Sequence, residues 1–131
     1  MPGRRVQFNR MLYSAFGMPL VFVIGEDWTL RGAVRAELRE RGVEALGFAN
    51  LNDALEAMAA GSPPSVIVLD AACADTGDTL WGVLARRSAV LVVASRFEAP
   101  PHMEGMRIMF RPVGVGDIVR QVEQLLAGQA V

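Results

Sequence analysis

Lysine is absent from this chain: all 13 basic residues are Arg. That absence removes Schiff-base chemistry and the phosphate-gripping lysine of nucleotide-binding loops. It also points to a GC-rich bacterial genome. The single cysteine, Cys73, excludes an internal disulfide framework and a multi-cysteine zinc site. A reducing cytoplasm is the compartment that fits. The single histidine, His102, leaves no His pair to ligate a metal. It follows Pro100-Pro101 with no recognisable nucleophile partner and reads as a surface residue. A formal net charge of -1 argues against a nucleic-acid binder or an anionic-membrane binder. Long hydrophobic runs are lacking too. Met11 to Gly25 is fairly apolar and follows Arg4, Arg5 and Arg10, but Gly17 and Pro19 interrupt it and no small-residue cleavage site follows. It is not a signal peptide, and nothing reaches the length of a membrane span. Gly25 opens no dinucleotide fingerprint, and neither a P-loop nor a G-x-S-x-G elbow occurs.

What is present suits one domain of 131 residues with a substantial core. Its apolar fraction, 52%, is high enough to leave apolar surface for a partner. The run Ser65-Val66-Ile67-Val68-Leu69-Asp70 carries the most information. It is short, apolar and unalternating, as expected of a strand buried on both faces of a parallel sheet. Leu20 to Ile24, Val43 to Phe48, Ala89 to Ala94 and Arg107 to Phe110 read as four further strands.

Helical periodicity separates them. Leu30, Val34 and Leu38 recur every fourth residue, predicting a helix over Thr29 to Arg41 with Gly42 as its C-terminal cap. Asn52 is placed to cap a helix carrying Ala54, Leu55, Met58 and Ala59, stopped by Gly61 and Pro63-Pro64. Asp78 is placed to cap one through Leu80, Trp81, Val83 and Leu84. Asp117 to Ala127 presents Ile118, Val119, Val122, Leu125 and Leu126 on one face, closed by Gly128. Between Ala94 and Arg107 stands a loop with at most one helical turn. Trp28 and Trp81 are expected as core or interface anchors.

The alternation predicts a doubly wound parallel α/β sheet of five strands, order 2-1-3-4-5, with a shortened or missing fourth helix. Residues 1–19 form an N-terminal extension in which Phe8, Met11, Leu12, Ala15 and Phe16 share a face; 20–128 form the domain, and 129–131 a tail. In such sheets chemistry sits beyond the carboxyl ends of the strands. That places Glu26 and Asp27, Asp70, Ala94-Ser95 and Arg111-Pro112 together. Carboxylates from two strands need a cation between them, and Mg²⁺ with oxygen ligands fits.

From about Leu20 to Gly128 the chain resembles the receiver domains of two-component response regulators, a flavodoxin-like (CheY-like) fold. The resemblance rests on Val23-Ile24-Gly25-Glu26-Asp27, Val66-Ile67-Val68-Leu69-Asp70 and Phe110-Arg111-Pro112. It implies that Asp70 is the phosphoacceptor. It also implies that Glu26, Asp27, Asp70 and the Ala72 backbone carbonyl face Mg²⁺, and that Ser95 and Arg111 serve the phosphoryl oxygens. The partners implied are a histidine kinase, an effector domain or a second copy, and no enzymatic activity is implied beyond self-phosphorylation and dephosphorylation at Asp70.

The chain departs from the family pattern. Gly25 stands where the first acid is expected, Ala94 where the hydroxyl is, Arg111 where the lysine is and Ile108 where a switch aromatic is. Losing a carboxylate weakens a Mg²⁺ site, so the metal is expected to be weak or absent. Arg is a planar fork, not a compact ammonium. It could pair with Asp70 and close the site. The expectation is a degenerate receiver working by protein contact, as a homodimer through the edge at Ile108 and Phe110 or through the N-terminal segment. The alternatives are a working phosphoacceptor that uses Glu26 as main metal ligand, and a small-molecule site near Gly25. Cys73 reads as packing rather than as a redox sensor.

Overall fold

The computed structural model describes residues 19–73, 80–98 and 106–129. Five strands form one parallel sheet: β1 (Leu20–Ile24), β2 (Glu44–Phe48), β3 (Val66–Asp70), β4 (Ala89–Ala94) and β5 (Met106–Phe110). Their order is β2-β1-β3-β4-β5, as the sequence predicts. Four helices are described: α1 (Trp28–Glu40), α2 (Leu51–Ala60), α3 (Leu80–Arg87) and α4 (Val115–Gln129). Among the described residues no helix is long and apolar enough to cross a membrane.

The unalternating strands have a simple cause. Successive side chains of a strand point to opposite faces, and here both faces are covered. Phe22, Ile24, Ile67, Leu69, Val90 and Val92 pack with Leu51, Ala54 and Met58 of α2 and Leu84 of α3. Val21, Val23, Val66, Val68, Leu91 and Val93 pack with Val34 and Leu38 of α1 and Ile118, Val119 and Val122 of α4.

The helix ends show where local chemistry outranks pattern. Asp27 caps α1, its Oδ1 accepting from the N–H groups of Thr29 at 3.0 Å and Leu30 at 3.2 Å. The helix stops as expected at Gly42, whose φ of +80° suits glycine and whose N–H reaches the Arg39 carbonyl. The cap of α2 is Asn50, not Asn52: its side chain accepts from the Asp53 N–H at 2.9 Å. Leu51 is buried against the sheet as the first helical residue, which places the cap before it. Helix α4 starts at Val115, two residues before the predicted start. Asp117 lies inside its first turn and accepts from the Gly114 N–H at 2.9 Å, an acid reaching back to the helix entry. Gly128 is helical rather than terminal, and Gln129 beyond it donates through Nε2 to the Ser65 carbonyl at 2.8 Å.

Trp28 is not a core anchor: it opens α1 on the solvent side, 74% exposed. Ser95–Glu98 form a turn, and the rest of the β4–β5 crossover lies outside the described residues, as do residues 1–18, Asp78, His102 and the Trp81 side chain.

Candidate functional site

Strand parity selects the face on which the site forms. Val66 and Val68 point toward α1 and α4, so Asp70, two residues on, points there too. On β5 Met109 packs toward the same face, and Arg111 continues that parity. Their strands are separated only by β4, whose Val93 pairs with Asp70 and whose Ala94 pairs with Phe110. The Arg111 N–H extends the ladder by donating to the Ala94 carbonyl at 2.8 Å. The Arg111-Pro112 peptide is cis.

The result is an ion pair. Arg111 Nη2 donates to Asp70 Oδ2 at 2.8 Å. The other oxygen, Oδ1, accepts from the Ala72 backbone N–H at 3.0 Å, within the 3₁₀ turn Ala71–Cys73. Both carboxylate oxygens are thus engaged. The Asp70 side chain is 19% exposed and that of Arg111 35%, so the pair is partly desolvated and stronger than a surface pair. Beside it lies a cavity of about 30 Å³ lined by Val23, Leu30, Val68, Val93 and Ile118 with Asp27 and Arg31. A cavity of that size holds a water or two.

The other residues singled out by the sequence are placed as follows. Gly25 lies against Asp70: a Cβ there would be 3.5 Å from the Asp70 Cβ. Asp27 lines the cavity, but its Oδ1 caps α1. Glu26 is exposed, and its side chain makes no described hydrogen bond or ion pair, while its backbone bonds the Cys73 thiol. Ala72 contributes its N–H to Asp70. Ser95 lies on the neighbouring rim, its Oγ accepting from the Phe97 N–H at 3.3 Å and its own N–H bonded to Glu98 Oε1 at 2.7 Å. Among the described residues no three Asp, Glu, His or Cys side chains gather as a metal site. Gly25 brings no carboxylate, Asp27 uses Oδ1 as a helix cap, and Asp70 faces a guanidinium.

One residue of the site escapes sequence reading. Arg31 falls between the apolar positions Leu30 and Val34 of the helical pattern. It folds back so that Nη1 donates to the Gly25 carbonyl, and its methylenes cross Gly47 of β2. The available signal was Gly47 itself: a glycine inside a strand marks a close approach. Cys73 stands nearby, and its thiol pKa is pushed up, first by burial and then by the negative charge of Asp70. That is the opposite of an activated thiol.

No family model matches the sequence, and no curated protein does. Solved structures do match. A response regulator receiver protein from Burkholderia phymatum is 21% identical, with a TM-score of 0.66 over 83% of this chain and 95% of that one. A response regulator receiver domain from Francisella is 18% identical, with a TM-score of 0.68 over 84% and 98%. A receiver protein from Sinorhizobium medicae is 14% identical, with a TM-score of 0.73 over 88% and 99%. The chain has the receiver-domain fold across most of its length.

Proposed function

We propose that this chain is a receiver-like module of two-component signalling in which Arg111 serves as the counter-charge of Asp70 in place of a metal. It acts by protein contact, with a histidine kinase, an effector domain or a second copy, and turns over no substrate. The observation that carries this reading is the 2.8 Å pair between Arg111 and Asp70. Phosphoryl transfer depends on positioning and charge neutralisation around an accessible nucleophile. Here one oxygen of that nucleophile faces a guanidinium and the other a backbone N–H. A small-molecule site near Gly25 gets no support from a cavity of about 30 Å³. The cytoplasm is the proposed compartment, in keeping with the free thiol of Cys73.

A second reading is favoured by one observation, the unengaged carboxylate of Glu26 at the rim. It would serve as main metal ligand for a phosphorylated Asp70. Incubation with acetyl phosphate and Mg²⁺, followed by intact mass, separates the two. The first reading expects no adduct. A stoichiometric phosphoryl adduct that disappears in Asp70→Asn establishes the second.

A further inference from the structure

Charge is divided unevenly along this chain. Residues 1–18 carry three arginines, Arg4, Arg5 and Arg10, and no acid, a side-chain charge of +3. The remaining ten of the 13 arginines stand against all 14 acids, so the chain from Pro19 onward carries -4. Part of that excess lies along β2 and α2. Glu44, Asp53 and Glu56 belong to this segment, and no basic residue occurs between Arg41 and Arg86. Arg31 and Arg35 reach β2 from the α1 face, Arg31 crossing Gly47 on its way to the Gly25 carbonyl and Arg35 donating to the Ala45 carbonyl. Counted at full charge, these two cations still leave the three acids in excess. Arg86 and Arg87 end α3, which packs on β4, beyond β1 and β3. The same edge exposes apolar surface. Ala45 of edge strand β2 points to the α1 face, so Glu44, Leu46 and Phe48 point to the α2 face. There Leu46 is 37% exposed, and Phe48 and Leu55 are half-buried. Glu44 Oε2 is shut off from solvent without a hydrogen-bond partner. A buried carboxylate oxygen lacking a donor is unfavourable, and a guanidinium is well suited to satisfy it. The Glu44 N–H donates to the Pro19 carbonyl at 2.9 Å, so this carboxylate stands where residues 1–18 join the sheet.

We propose that residues 1–18 dock on the β2–α2 edge of their own chain. The apolar stripe Phe8, Met11, Leu12, Ala15 and Phe16 covers Leu46, Phe48 and Leu55, and an arginine of the segment supplies the donor that Glu44 Oε2 lacks. The lengths match: from Phe8 to Pro19 a helix spans about 16 Å, the length of a five-residue strand such as β2. Tethering holds the segment at a local concentration of about the millimolar range, so a modest apolar patch and one ion pair suffice to seat it. Asp70 takes no part in this contact, which stands apart from the chemistry of the closed site.

The test uses the full chain in two measurements. Trypsin cleavage after Arg10 is followed by intact mass, because cleavage of a docked segment tracks its released fraction. Glu44→Gln speeds that cut about tenfold, the scale of a hydrogen bond to a charged group. Cuts after Arg41 and Arg120, both exposed on the folded body, keep their rates. Glu123→Gln, on the α4 face, leaves the Arg10 cut unchanged. In the second measurement a nitroxide on Asn9→Cys, in a Cys73→Ala background, broadens the amide resonances of Leu46 and Leu55 and spares Val119 of α4. Mixed with isotope-labelled chain that lacks the nitroxide, the spin-labelled chain broadens none of them. Unaltered Arg10 cleavage in Glu44→Gln, acceleration shared by Arg41 and Arg120, no broadening at Leu46 and Leu55, or equal broadening on both faces each overturns the proposal. Broadening in the mixed sample also overturns it and assigns the edge to a second copy.

Discussion

Asp70 and Arg111 face each other because two strands two places apart present them on the same side of the sheet at the same end. Removing the cation leaves a mostly buried carboxylate with only a backbone N–H. Arg111→Ala is therefore expected to lower stability by about 1–2 kcal/mol in urea unfolding. Asp70→Asn, which keeps an acceptor for Ala72, is expected to cost less. The Cys73 thiol gives a pH prediction. Its folded pKa lies above its ordinary value, so the fold favours the protonated form. The stability it contributes is complete below the ordinary thiol pKa of about 8.5 and is lost as pH rises through the raised folded value. Wild-type stability should accordingly fall more steeply with alkaline pH than that of Cys73→Ala, and iodoacetamide should alkylate the native thiol more slowly than the denatured one. Of the site residues, Asp70 and Arg111 were legible because strand ends and a buried run fix their place, and their pairing was foreseen as a consequence of replacing lysine. Arg31 was not legible. Its backward fold depends on a carbonyl at Gly25 and a gap at Gly47, neither adjacent to it in sequence.

Elements were read well where burial dictates them and less well where polar side chains decide. The five strands and the stop of α1 at Gly42 followed from apolar runs and a glycine placed after a periodic face. Gly42→Ala should cost about 1–2 kcal/mol, the penalty of a side chain in the left-handed region, measurable as a lowered Tm. The cap of α2 and the start of α4 were each misplaced by two residues because the apolar face alone does not say which polar neighbour bonds the free N–H groups. Gly47 ties an element to the site. A Cβ there would lie 2.8 Å from the Arg35 Cδ and 3.0 Å from the Arg31 Cδ, both mid-chain atoms with little room to yield. Gly47→Ala should displace Arg31 from the Gly25 carbonyl and destabilise the protein by about 1 kcal/mol, the lower end for overpacking. An unchanged Tm with an unshifted Gly25 amide resonance would contradict this.

At the scale of the whole molecule, alternation of strand and helix was enough to predict the order β2-β1-β3-β4-β5, because right-handed crossovers leave few topologies. The three receiver structures compared share the fold at identities of 14 to 21%. The edge strand β5 leaves Phe110 52% exposed with Ile108 beside it. An apolar edge of this kind favours self-association. Light scattering at micromolar concentration is expected to give twice the chain mass, and Phe110→Glu the chain mass alone. The central claim, that a guanidinium occupies the electrostatic place of a metal at Asp70, is tested most directly by calorimetric titration of Mg²⁺ with beryllofluoride. The prediction is no saturable heat through the millimolar range for the wild-type protein. Saturable, Mg²⁺-dependent binding of beryllofluoride that Asp70→Asn abolishes would contradict it.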